Sequence, residues 1–83
     1  MTLKIVSTAD VLFEGSVTMV TLPGAKGRFT VLRNHAALIS VLTAGKITFR
    51  GEDVNEQSVD ISGGIVDVDN NVISVCVTGA TAV

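Results

Sequence analysis

"SGGIVDVDNNVISVCV", residues 62–77, decides the fold class. Apolar and polar side chains alternate with period two through "IVDVD" (65–69) and again through "VISVCV" (72–77). Each segment therefore reads as a strand with one face turned to a core. Between them stands Asn70-Asn71, a pair that tolerates the left-handed backbone of a tight hairpin turn. Just upstream, Gly63-Gly64 admits a bend or bulge where the chain enters the hairpin.

The same period extends outward along the chain. "LKIVS" (3–7) opens it, and "SVTMVTL" (16–22) follows a corner at "FEG" (13–15). "RFTVL" (28–32), "ALISVL" (37–42), "KITFR" (46–50) and "SVDIS" (58–62) are further short segments rich in β-branched residues. Turn signals recur roughly every 8–12 residues, the spacing of a sandwich or barrel. The expected fold is all-β: a flattened antiparallel β-sandwich or barrel of about 8–10 short strands, in a single domain over residues 1–83. No segment keeps a helical period beyond two turns, and "NHAALISVL" offers one turn around His35–Leu38 at most.

A chain of 83 residues has a thin core, since a domain this small buries only roughly 60% of the surface its unfolded form exposes. Yet 47% of the residues are hydrophobic. Strand 37–42 reads as apolar on both faces, so each face needs a cover, either a second sheet or another subunit. No apolar run approaches the ~18 residues of a membrane span, and "MTLKIVSTAD" lacks the basic and apolar regions of a signal peptide. One cysteine, Cys76, cannot make an internal disulfide, which fits a reducing compartment. It is expected as a small core residue. Together these features describe a domain that lives against a partner.

Charge is segregated along the chain. Lys26, Arg28, Arg33, Lys46 and Arg50 lie between Gly15 and Gly51 with no acidic residue among them, and every charged residue after Gly51 is acidic. Such asymmetry orients a docking partner. The net charge of −2 and the absence of Trp and Tyr argue against nucleic acid.

The rare residues gather in "PGAKGRFTVLRNHAAL" (23–38), which holds the only proline and the only histidine. His35 has no acidic or nucleophilic neighbour in a recognisable motif, so it is expected in packing or contact rather than catalysis. One His and one Cys do not make a zinc ligand set. "GAKGR" departs from a phosphate-binding loop in its glycine spacing and leads into a strand, so it reads as a turn. "DVDNN" lacks the glycine and distal glutamate of a calcium loop and reads as the hairpin. No catalytic residue, cofactor or metal is therefore expected. What remains is a fixed subunit of a larger assembly or a free-standing β-sandwich module for peptide or carbohydrate. Sugar-binding sandwiches need exposed aromatics, and at least two of Phe13, Phe29 and Phe49 fall at core positions. The subunit reading is favoured.

The segments 5–47 and 62–75, and above all "LPGAKGRFTVLRNHAALI" with "SGGIVDVDNNVISV", resemble the epsilon subunit of bacterial F-type ATP synthase, over about Leu3 to Val77. That resemblance implies a non-catalytic β-sandwich at the foot of the rotor stalk, on the cytoplasmic face of the inner membrane. It would link the gamma subunit to the membrane-embedded c-ring without entering the membrane, and so couple proton transport to ATP synthesis. By position it implies ring contact at Ala25, Lys26, Gly27 and Arg28, and gamma contact at Ser7, His35, Ala36 and Ser40. Family members often have Pro or Gly where Arg33 and Asn34 stand, and Pro at Ala37, so the turn is expected to be looser here. Arg28 replaces an acidic residue of some members, which implies a hydrogen bond to ring backbone or a rearranged charge pair. The family's C-terminal helical domain has no counterpart in these residues, so no nucleotide site and no braking of hydrolysis are expected of this chain.

Overall fold

The computed structural model describes residues 1–52, 55–79 and 81–82. The described chain forms ten strands and no helix. They are β1 (Thr2–Val6), β2 (Val11–Ser16), β3 (Met19–Gly24), β4 (Gly27–Leu32), β5 (Leu38–Leu42), β6 (Gly45–Arg50), β7 (Gln57–Ile61), β8 (Gly63–Asp69), β9 (Val72–Thr78) and β10 (Thr81–Ala82). The region around His35 makes a turn at Arg33-Asn34 in place of a helical one.

The β8–β9 hairpin closes at Asn70-Asn71, with φ of 52° and 63°, the paired left-handed geometry of a two-residue turn. Its register runs without a break from Asp69↔Val72 to Gly63↔Thr78, so Gly63-Gly64 makes no bulge. A bend does occur here: β7 and β8 lie in different parts of the sheet, with only Ser62 between them. Glycine at 64 serves close approach, because a Cβ there would strike the Cys76 carbonyl oxygen.

Hydrogen-bonded neighbours run β10-β7-β6-β3-β5-β8-β9-β1-β2, with β4 attached to β3. β3 and β5 share one register pair, Gly24↔Leu42, and there the sheet folds over on itself. Ala25 N–H donates to the Val41 carbonyl (2.9 Å) and Thr43 N–H to that of Pro23 (2.8 Å), pinning the corner. One layer is thus β10-β7-β6-β3-β4 and the other β5-β8-β9-β1-β2. Every pairing is antiparallel except β1–β9, which is parallel. The chain between these two strands passes through β3, β4, β6 and β7 of the opposite layer, so no tight turn dictates their direction.

The core lies between the layers. Leu3, Ile5, Val20, Leu22, Val31, Ile47, Val66 and Ile73 are fully buried, and alternate residues of their strands face out. Phe49 is buried against Phe13, their ring centroids 4.4 Å apart and tilted by 49°, and Phe29 packs on the same cluster. Cys76 is a correction: it is exposed, because Ile73, Val75 and Val77 take the inward positions of β9. A second correction concerns β2, expected only as a corner at "FEG". Its register shifts after Ile5↔Phe13, so that Val6 pairs with Val11 and Leu12 becomes the extra residue. The bulge turns Leu12 toward the core and leaves Val11 outside.

Candidate functional site

Cross-strand register assembles an apolar row on the outer face of the second layer. Val41 pairs with Ile65, Ile65 with Cys76, Cys76 with Val6, and Val6 with Val11. The row crosses all five strands of the layer. Among the described residues six large hydrophobics are exposed, and five of them lie on this face: Val11, Ile39, Val41, Ile65 and Val72. Ile39 is 74% and Val41 58% exposed, although each stands in a regular strand of a small protein with apolar residues to bury. Contiguous exposed apolar patches are characteristic of interaction surfaces.

The outer face of the other layer is different in kind. Across β4, β3, β6 and β7 the corresponding row is Thr30, Thr21, Thr48 and Ser58, with a 3.0 Å hydrogen bond between the hydroxyls of Thr21 and Thr30. Beside it Lys46 Nζ lies 3.1 Å from Asp60 Oδ1, and Arg28 Nη1 donates to the Lys46 carbonyl at 3.0 Å. The apolar row is edged by a polar one, Asp67, Ser74, Lys4 and Glu14 in register across β8, β9, β1 and β2, whereas among the described residues no apolar row crosses the other outer face. Both outer faces carry both signs of charge: Lys4, Glu14 and Asp67 on the apolar layer, and Arg28, Lys46, Arg50 and Asp60 on the other. Asp53, also part of the acidic stretch, lies outside the described residues.

Two shallow grooves flank the apolar row. One, lined by Ala37, Leu38, Ile39, Asp67, Val68 and Asp69, lies beside the loop carrying His35 and Ala36. The other is lined by Val6, Ser7, Thr8, Cys76, Val77 and Thr78. His35 and Ser7 therefore stand at opposite ends of the same layer. His35 is half-buried, and its Nδ1 is 2.7 Å from the Ala36 carbonyl. A carbonyl only accepts, so Nδ1 carries the proton and Nε2 is the polar atom left to a partner. Ser7 spends its hydroxyl at home, accepting from the N–H groups of Ala9 (3.3 Å) and Asp10 (3.2 Å) in the β1–β2 turn. Ser40 is half-buried on the inward side of β5, between the outward Ile39 and Val41. The two neighbours, not Ser40 itself, face out.

Ala25, Lys26, Gly27 and Arg28 come together at the tip of the β3–β4 hairpin, and all four are exposed. The tip is tight: a Cβ on Gly24 would stand 2.7 Å from the Gly27 carbonyl oxygen, and Gly27 has φ of 129°. Lys26 projects from this tip, whereas Arg28 is drawn back over β3 to the carbonyl of Lys46 on β6. Among the described residues no three His, Cys, Asp or Glu side chains cluster as metal ligands would.

Sequence reasoning missed Val6, Val11, Val41, Ile65 and Cys76 as a surface. The signal present was the strand at 37–42 with two apolar faces; the row itself exists only once five strands are aligned.

Comparison with known proteins gives this surface a family setting. Residues 1–83 match the family described as the ATP synthase Delta/Epsilon chain, beta-sandwich domain. The ATP synthase epsilon chain of Sulfurimonas denitrificans is 42% identical over 81 residues, 98% of this chain and 62% of that protein. The epsilon chain of a Sulfurovum strain is 43% identical over 82 residues, 99% of this chain and 64% of that one. The chain thus spans under two thirds of the length of these relatives. In fold it is similar to a chain of the Euglena gracilis mitochondrial ATP synthase OSCP/F1/c-ring structure, with a TM-score of 0.89 at 21% identity over 96% of this chain and 51% of that one. It is also similar to a chain of the Tetrahymena thermophila central stalk and c-ring structure, with a TM-score of 0.82 at 15% identity over 96% and 64%. With its ten strands, two layers and full-length match, the chain belongs to the beta-sandwich domain family of ATP synthase delta and epsilon chains.

Proposed function

We propose that this chain is a non-catalytic rotor element of F-type ATP synthase that links the gamma subunit to the c-ring, at the cytoplasmic face of the bacterial inner membrane. The observation that carries the reading is the apolar row Val41–Ile65–Cys76–Val6–Val11 on an otherwise well-ordered sandwich. Gamma covers that face, with His35 and Ala36 at one end and Ser7 at the other. The hairpin tip Ala25–Arg28 stands on the Ser7 side of the molecule and meets the polar loops of the ring. Lys26 leads that contact from the tip, with Arg28 set back toward β6, where one of its five N–H groups donates to the Lys46 carbonyl. Torque passes between two partners only through a body that does not deform. Two cross-braced sheet layers with short loops supply that stiffness.

The test is retention of the domain on purified gamma and on detergent-solubilised c-ring. Changing Val41 and Ile65 to Asp places two charges in the apolar row; we expect loss of gamma binding with ring contact kept. Changing Lys26 to Glu is expected to weaken ring contact alone. A wild-type domain that retains neither partner but holds a sugar or peptide in a binding screen would replace the rotor reading by that of a free module.

A further inference from the structure

The loop from Arg33 to Ala37 contains no proline or glycine, and four of its five residues are exposed. Such a loop should be loose; His35 N–H closes its turn on the Leu32 carbonyl at 3.2 Å, and one further tie fastens it to the β8–β9 turn. Asn34 N–H donates to Asn71 Oδ1 at 2.7 Å, and Asn71 Nδ2 donates to Asn34 Oδ1 at 3.0 Å. The backbone donor fixes the orientation of the Asn71 amide, since only its oxygen can accept from Asn34 N–H. Both residues have left-handed backbones, with φ of 64° and 63°. Asn71 is also anchored behind, its carbonyl accepting from Thr2 N–H at 2.9 Å. One residue at the β8–β9 turn thus joins the β4–β5 loop, 37 residues away in sequence, through its side chain, and the start of β1 through its carbonyl.

We infer that Asn34 and Asn71 are positioning residues for the partner-binding face: their reciprocal amide pair holds the loop that carries His35 and Ala36 against the end of the apolar layer. This rests on the gamma-binding reading above. The physical reason is preorganisation. A loop already fixed in its bound shape loses little freedom when the partner arrives, so the clasp contributes to affinity without touching the partner. It replaces by a side-chain tie the stiffness that proline would give the loop.

Glycine accepts the left-handed conformation and removes the amide, and Asn71→Gly does so outside the His35 loop, where the added backbone freedom of glycine does not loosen that loop directly. Asn34→Gly and Asn71→Gly are each expected to weaken binding to purified gamma by about three- to tenfold, the equivalent of one or two exposed hydrogen bonds. The double variant should bind no more weakly than the worse single one, since either change breaks the whole tie. Asn71→Asp keeps the acceptor for Asn34 N–H and should fall between. Amide exchange at Asn34 and His35 should quicken in the glycine variants. A core variant of matched thermal stability, Val66→Ala, should bind gamma like the wild type at temperatures where it is folded.

Wild-type affinity in Asn71→Gly, additive losses in the double variant, or equal weakening in Val66→Ala would each overturn the positioning role. Failure of the wild-type domain to bind gamma would overturn the rotor reading and the positioning role together. The wild-type arm alone tells these cases apart.

Discussion

β9 passes so close to Gly64 that no side chain fits there. A methyl group at that position meets the carbonyl oxygen of Cys76, a backbone atom locked into the β8–β9 ladder, and the Val77 Cα at 3.1 Å. Neither can rotate away as a flexible side chain would. Gly64→Ala must therefore push two paired strands apart. Overpacking of this kind costs about 1–3 kcal/mol. For a domain of this size each kcal/mol lowers the midpoint by about 4–8 °C, so thermal unfolding followed by circular dichroism should show a clear drop. Gly27→Ala provides the contrast: nothing lies within 4 Å of its Cβ, so only the strain of φ at 129° is added. A larger loss at 27 than at 64 would mean that backbone strain outweighs strand contact here. Arg28 teaches the same lesson about local geometry. Its place in the chain put it at the hairpin tip, while its 3.0 Å bond to the Lys46 carbonyl keeps its charge on the polar layer.

At the scale of the element, β5 shows two apolar faces doing different things. Leu42, at its end, is 3% exposed in the core, whereas Val41 beside it is 58% exposed on the outer row. Leu42→Ala leaves a hole and is expected to cost about 2–5 kcal/mol. Val41→Ser, at a surface position, should stay within about 0.5 kcal/mol of the wild type. On the rotor reading proposed above, binding to gamma should rank them the other way, with Val41→Ser the weaker binder when both are folded; thermal melts and a gamma titration on the same samples check both orders. The strands themselves were largely legible. The β8–β9 hairpin, with its alternation and its Asn-Asn turn, was readable outright, and β4, β5 and β6 fell close to their expected bounds. β2 was not, because its bulge breaks the period: Val11 faces out, Leu12 and Phe13 both pack inward, and Glu14 faces out again. Alternation cannot reveal a strand whose function at that point is to skip a residue. Of the candidate site, the hairpin tip and the His35 loop were legible as segments. The apolar row and the Asn34–Asn71 tie were not, since each joins residues brought together only by strand register.

The whole molecule is closed by its first strand. β1 lies between β9 on one side, in parallel register, and β2 on the other, and it contributes Leu3 and Ile5 to the core with no exposed surface. Burying two such side chains is worth about 1.5–3 kcal/mol each, and the ladder bonds to both neighbours add to this. Against a total stability of about 5–15 kcal/mol for a small domain, that share decides whether the fold survives. Deleting residues 1–6 should therefore abolish cooperative unfolding altogether, and with it the dispersed amide spectrum of a folded β protein. The parallel pairing is also expected to form late. Thr2 meets Val72 only after the intervening chain has found its place, so the loop-closure cost comes before the contacts that reward it. Refolding of the intact chain from denaturant should accordingly fall in the range of about milliseconds to seconds, as for other non-local β folds. Within that reaction, Ile5→Val should act mainly on the unfolding rate, because β1 docks after the antiparallel hairpins β3–β4 and β8–β9 have formed. An equal or greater effect of Ile5→Val on the folding rate would place β1 in the nucleus and reverse that order.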